Sequence, residues 1–456
     1  MKDTETAAAT RKIARFIAEN PDFGSDDTCR LLARRALLDT MACAIGGSGE
    51  PASRAALTLA TEGPQGRARV WATGHRATTE LAAFANGVSG HVLDFDDVTA
   101  PMRGHPSIAL LPALIAVAEE RVLTMDRVDR AYAVGFELIC RFSHAAADGH
   151  YARGWHTTPT IGGLGAVAAL AHLLGLSETQ TRHAFGLALT QLAGTRGNFG
   201  SMAKSVQAGQ ASRAALFAVR LAELGFDAAD DSLDGDQGFL TLYTNESGFG
   251  DHLEGLGTGE PELLRSGIEV KKYPLCYATH RAVDGLLDLM KETPGLTLAS
   301  VVSARIHGSP RAFVPLIHSR PRTGLEGKFS MEYAVAAALS DGEITLASFT
   351  DDRVQRPEVQ AAFDRITVSA DTEGSLLPRW TDISLTLADG RILTKRVEVL
   401  RGSADHPLTE AELMAKVADC CRHAGGRIDP EKLGRTILDS TDLRVSDLLD
   451  SVLPRG

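Results

Sequence analysis

Apolar residues recur every three or four positions from about residue 8 to 265, the period of a buried helical face, which predicts helix after helix. Arg30-Leu31-Leu32-Ala33-Arg34-Arg35-Ala36-Leu37-Leu38 and Leu110-Leu111-Pro112-Ala113-Leu114-Ile115 carry the pattern, and Ile13-Ala14-Arg15-Phe16-Ile17 opens it as an amphipathic helix. Ser177-Glu178-Thr179-Gln180 has the spacing of a capping box, with hydroxyl and amide answering the first free N–H groups of a helix. Ala and Gly are abundant here, and small residues let helices approach closely.

The period changes near residue 266. Ser300–His307, Arg365–Ser369 and Ile383–Leu387 combine β-branched residues with partial alternation, which predicts strands. Ala388-Asp389-Gly390-Arg391 predicts a hairpin turn, with Ile392–Val399 returning as a strand. Helices are predicted between them, over about 280–291 and 330–340, and again from Thr409 onward. The expected fold is mainly α: a large all-helical domain built from both chain ends, 1–266 and 405–456, with a smaller α+β domain inserted over 267–404.

Composition narrows the function. The 456 residues exceed what a single core usually serves. Hydrophobic residues at 44% and charged residues at 23% are those of a folded globular chain. A net charge of −11 argues against broad nucleic-acid binding, while leaving room for a local basic pocket. No basic-plus-apolar leader and no apolar run of bilayer length is present. Cys29, Cys43, Cys140, Cys276, Cys420 and Cys421 are scattered without a CxxC pair, so a reducing cytoplasm is expected rather than a disulfide framework.

Four short stretches place titratable or cationic residues beside helix starts. Leu93-Asp94-Phe95-Asp96-Asp97 precedes Arg103-Gly104-His105-Pro106-Ser107, where Pro106 suits a first helical turn. Gly149-His150-Tyr151 leads to Gly154-Trp155-His156-Thr157-Thr158-Pro159, where Thr158 suits an N-cap and Pro159 the first helical position. Gly200-Ser201-Met202-Ala203-Lys204 lies ahead of a helix through Ala211–Leu224. Lys271-Lys272-Tyr273-Pro274 runs to Thr279, a cap for the helix carrying His280. Helix N-termini attract anions, and imidazoles, Lys and Arg added there make a site for a polyanion with acid–base groups. Asp94, Asp96 and Asp97 suit helix capping at a turn as well as catalysis. His144, His150 and His156 recur six apart, off any single helical face, and neither HExxH, GxGxxG nor GxSxG occurs.

Taken in order, these stretches resemble the MmgE/PrpD family over nearly the whole chain. The resemblance rests on His91-Val92-Leu93-Asp94-Phe95-Asp96-Asp97, His105-Pro106-Ser107, Gly154-Trp155-His156-Thr157, Lys271-Lys272-Tyr273-Pro274, Glu326-Gly327-Lys328-Phe329-Ser330 and Ser340-Asp341-Gly342. Members of that family include 2-methylcitrate dehydratase, cis-aconitate decarboxylase and iminodisuccinate epimerase. The resemblance implies a helical domain with an α+β lid, a homodimer, a small di- or tricarboxylate substrate, and neither metal nor organic cofactor. It implies site roles for Asp94, His105, Tyr151, His156, Lys204 and His280; Asp94, His105, Tyr151 and Lys204 are expected to be catalytic, and Arg103, His156, Gln207, Lys272 and His280 to bind substrate. Two departures stand out: Val98 follows Asp97 where many members have Thr, and Gln207 stands where many have His. The reaction expected is proton abstraction α to a carboxylate, ending in elimination or epimerisation. The Met102–Ser107, Gly149–Tyr151 and Gly154–His156 stretches look most like iminodisuccinate epimerase, which tilts the expectation slightly toward isomerase. The alternative is a carboxylate-binding or scaffold protein without catalysis.

Overall fold

The computed structural model describes residues 8–244, 246, 248–374, 378–440 and 443–454, so the outermost residues of the expected helical domain, 1–7 and 455–456, lie outside the described residues. The chain is mainly helical. Apolar side chains gather into two clusters. One runs from Ile13 to Val270 and resumes from Leu408 to Leu453, taking in Leu346 between; the other draws on residues from Tyr273 to Val397.

The first cluster is built around the helices Asp27–Gly47, Thr79–His91, Pro106–Glu120, Met125–Ala152, Thr157–Leu174 and Ala203–Glu223. Small residues set their spacing, and one close crossing lies between Thr79–His91 and Ala203–Glu223. A Cβ on Gly87 would sit 2.7 Å from the Cα of Gly209, so neither position has room for a methyl group. The capping box at Ser177 and Gln180 forms as the sequence predicts. A departure from the all-helical expectation is a two-residue ribbon, β1 (Ala68–Arg69) antiparallel to β2 (Arg76–Ala77). Two-residue strands are too short to leave a hydrophobic period, and the buried Arg69–Glu119 ion pair anchors this one to a helix end. Helix Thr157–Leu174 is long and apolar enough to cross a membrane, but 89% of it is buried in the fold.

The second cluster joins a four-stranded sheet to helices His280–Glu292 and Met331–Asp341. The strands are β3 (Val301–Gly308), β4 (Ile366–Ala370), β5 (Thr381–Leu387) and β6 (Ile392–Val397), in the order β4-β3-β5-β6. β3 and β4 run parallel, and the other pairs are antiparallel. Thr381, Ile383, Leu385 and Leu387 alternate inward on β5, which is the period that predicts it. β6 stops at Val397, two residues short of the predicted end, where Val399 turns out to solvent.

Candidate active site

Three helix starts and one loop converge where the two clusters meet. His105 occupies the N-cap position of helix Pro106–Glu120, with Pro106 at its first turn, as the sequence predicts. The second start differs from the prediction: His156, not Thr158, holds the N-cap position, and the helix begins at Thr157. Thr158 is engaged elsewhere, its Oγ1 accepting the backbone N–H of His105 at 3.2 Å. The two starts abut at Gly104, where a Cβ would meet Thr157 Oγ1 at 2.5 Å. The third helix begins at Ala203, earlier than predicted, which puts Lys204 in its first turn. Thr279 takes the N-cap position of His280–Glu292, but its hydroxyl donates to Cys276 O at 2.8 Å instead of capping.

The Leu93–Asp97 loop supplies the negative charge. Asp94 has a left-handed backbone, φ 51, a conformation that costs a non-glycine residue about 1–3 kcal/mol. Its carboxylate pairs with the Lys204 ammonium and, at 2.7 Å, with that of Lys271. Burial alone would raise this carboxyl; Lys204 and Lys271 reverse the effect and hold it well below the usual range. Asp96 is likewise fully buried, and His105 and His91 overcome its desolvation and keep it ionised. Asp97 has a capping role, accepting from the Ser107 backbone N–H at 3.3 Å and from the Ser107 hydroxyl.

Hydrogen bonding fixes the state of two imidazoles. Asp96 Oδ2 lies 2.8 Å from His91 Nδ1 and 3.2 Å from His105 Nδ1. An ionised Asp96 only accepts, so His91 carries its proton on Nδ1 and its Nε2 accepts from Lys204 at 2.8 Å. Burial holds His91 neutral, with its pKa lowered to about 4. Burial and then Lys204 also keep His156 neutral. Gln207 Nε2 donates to Thr195 O at 3.1 Å, so its Oε1 faces His156 Nδ1 at 2.6 Å and accepts that proton. His156 is therefore left with a bare Nε2.

These groups open on a cavity of about 380 Å³. Asp94, Arg103, His105, Tyr151, His156 and Lys204 line it from the first cluster. Tyr151 lies against the Arg196 guanidinium at 4.0 Å and near that of Arg103 at 5.7 Å. Burial raises the Tyr151 phenol above its ordinary value despite Arg196, so it stays protonated. Across the cavity stand Tyr277, Arg281, Arg311, Phe329 and Arg379. A second cavity, of about 270 Å³, lies behind Asp94, Lys204 and Phe329, which border both.

Three of the residues expected to bind substrate do not line the main cavity. Lys272 is turned away and pairs with Glu412 at 2.7 Å; the neighbouring Lys271, fully buried, reaches Asp94 instead. His280 is fully buried, its Nε2 3.3 Å from Leu275 O, and burial keeps it neutral. Gln207 acts through His156. Val98 and Thr99 both border the cavity, but the Thr99 hydroxyl is spent on Gly267 O at 3.0 Å. The sequence reading also missed His91, Arg196, Arg281 and Arg379. Only His91 carried a signal, as part of the same motif as Asp94.

His91, Asp96 and His105 offer three ligand atoms within 4.8 Å of one another, the one such group found among the described residues. A cation there would compete with the Lys204 ammonium already bound to His91 Nε2. Asp96 is also shared between both rings. The donor set therefore fits proton transfer better than a divalent ion.

The MmgE/PrpD N-terminal domain matches residues 11–251 and the MmgE/PrpD C-terminal domain residues 273–438. Among curated proteins, the chain is 30% identical over 355 residues to cis-aconitate decarboxylase of Mus musculus, covering 75% of this chain and 71% of the relative. The human cis-aconitate decarboxylase is also 30% identical over 355 residues, covering 75% and 72%. That of Aspergillus terreus (strain NIH 2624 / FGSC A1156) is 29% identical over 397 residues, covering 80% of each chain.

Proposed function

Since the chain belongs to the MmgE/PrpD family, we propose that it is a lyase acting on a small di- or tricarboxylate by proton transfer beside a carboxylate. The observation that carries this reading is the buried Asp94–Lys204–His105 group facing an arginine-lined cavity. Arg103, Arg281 and Arg379 hold the carboxylates of the substrate. Lys204 stabilises the negative charge that develops as the carbon is deprotonated or loses its carboxylate. His105, with Nε2 3.8 Å from Asp94 Oδ1, moves the proton. Asp94 itself is too firmly held ionised by two ammonium groups to be a useful base, so its role is to orient Lys204 and His105. His156, with its proton on Nδ1, offers Nε2 as a second acceptor rather than a carboxylate anchor.

The outcome depends on the leaving group. In dehydration the C–H proton goes to the base, the C–H pair becomes the double bond, and the C–O pair leaves with the hydroxyl, which takes a proton from an acid of the site to depart as water. In decarboxylation carbon dioxide leaves, its bonding pair stays on carbon, and that carbon takes a proton. A second reading, epimerisation, is favoured by Tyr151, whose protonated phenol borders the same cavity and could return a proton from another wall.

The test is proton NMR in D₂O with cis-aconitate, citrate-type acids and aspartate-derived acids. A new vinyl signal supports the lyase, and exchange at the α-carbon without elimination supports the epimerase. No turnover or exchange across the set leaves a binding protein. Lys204→Ala should lower turnover at least 100-fold, and a fully active variant removes Lys204 from the chemistry.

A further inference from the structure

We infer that Lys328 and Lys416 are positioning residues that hold Asp94 in its working conformation by capping the backbone carbonyls on either side of it. Three successive carbonyls of the loop each meet a different lysine. Leu93 O accepts from Lys328 Nζ at 2.7 Å, Asp94 O from Lys271, and Phe95 O from Lys416 Nζ at 2.6 Å. The three amino groups come from distant parts of the chain, and each donates whether or not it carries a charge. Lys271 lies where the two apolar clusters join, Lys328 ends a short turn in the second, and Lys416 projects from helix Glu410–His423.

This arrangement answers a backbone problem. The loop from Leu93 to Asp97 forms neither helix nor strand, so its buried carbonyls need partners from elsewhere. Asp94 is also held at φ 51, and rotation out of that state would swing its carboxylate off Lys204. Lys328 pins the peptide plane that precedes Asp94 through Leu93 O, Lys271 the plane that follows it through Asp94 O, and Lys416 the next plane along through Phe95 O, so the residue cannot turn without breaking one of these bonds.

Lys328 is buried, lies 4.5 Å over the Phe349 ring, and donates its second bond to Pro274 O at 2.6 Å. It therefore ties the Asp94 loop to the Lys271–Pro274 segment, and it is the one cation of the Glu326–Ser330 motif. Lys416 also pairs with Asp39 at 2.5 Å and lies 4.0 Å from the Phe95 ring, which fixes its position.

The inference rests on the reading of Asp94 as part of the reacting group, so the experiment has an arm that needs no turnover. Amide hydrogen exchange by mass spectrometry is compared for the full chain, Lys328→Met, Lys328→Gln and Lys416→Met. The informative peptide spans 92–98, where Asp94 N–H bonds to His91 O at 3.0 Å and Val98 N–H to Glu269 O at 2.9 Å. Each Met variant should exchange at least tenfold faster there, with helices Pro106–Glu120 and Met331–Asp341 within twofold of the parent. Lys328→Gln, which keeps an N–H donor, should lie between. In turnover, the Met variants should lose at least 30-fold in kcat with KM within about threefold. Unchanged exchange over 92–98, an equal rise in the flanking helices, or a loosened loop with parental kcat would each overturn the inference. If the parent chain turns over nothing, the proposed lyase fails while the exchange arm still decides the clamp.

Discussion

Replacing Asp94 by Asn removes one charge and almost no volume, so it isolates the electrostatics of the site. The carboxylate is 4% exposed and faces two ammonium groups. Removing one member of a buried pair costs about 3–5 kcal/mol, and here two cations lose a partner. The Asn oxygen still accepts one hydrogen bond, worth about 1 kcal/mol, so a loss of about 3 kcal/mol at pH 7 is the least expected. The pH dependence gives a second check. The Asp94 carboxyl ionises more readily in the folded protein than in the unfolded chain, so folding releases protons near the unfolded value of 3.8. Its stabilisation is complete above that value and fades as pH falls through it toward the folded pKa. Asn has no such dependence, and the similarly depressed Asp96 is present in both proteins and cancels. Urea unfolding followed by circular dichroism should therefore show a gap of about 3 kcal/mol at pH 7, narrower by about 1 kcal/mol at pH 3. No gap at pH 7, or one equally wide at pH 3, refutes the claim that Asp94 is a charged, doubly paired group.

Lys272→Ala should leave kcat/KM within twofold and stability within about 1 kcal/mol, because its half-exposed pair with Glu412 lies off the cavity; a large loss would return Lys272 to the site. Gln207→Leu strands the His156 Nδ1–H at a cost of about 1–3 kcal/mol, so turnover should fall roughly 5- to 150-fold with the fold intact by circular dichroism. Gly104→Ala forces a methyl against Thr157 and Thr158, which should cost about 1–3 kcal/mol in urea unfolding and disturb the His105 N-cap; parental stability would show that the two helix starts can part freely.

Where the sequence was legible, local physics had written it. Pro106 after His105 marks a helix start whatever packs around it, and Ser177 with Gln180 marks another. The strands of the sheet were readable because β5 alternates inward and outward, and their ends slipped by a residue or two where nothing local stops the pairing. The site was harder because contact between distant segments decides it. Lys271 and Lys272 are identical neighbours, and only the packed fold shows which one turns toward Asp94. Arg281 and Arg379 reach the cavity because the second cluster lies against the first, and no spacing in the chain announces that. Thr158 failed as a cap for a similar reason: a backbone N–H from another segment claimed its hydroxyl.

The glycine crossing of helices Thr79–His91 and Ala203–Glu223 acts as a fulcrum. His91 ends one helix, four residues beyond Gly87, and Lys204 lies in the first turn of the other, five residues before Gly209. At about 1.5 Å per residue these are lever arms of roughly 6 and 7.5 Å. A tilt of about 10° at the crossing would shift the far ends against each other by about 1 Å or more, enough to pull apart the 2.8 Å contact between them. A methyl group at the crossing, off the cavity wall, could thus detune the chemistry as surely as a change in the wall itself. The walls can vary with the substrate; the pivot has far less freedom to drift.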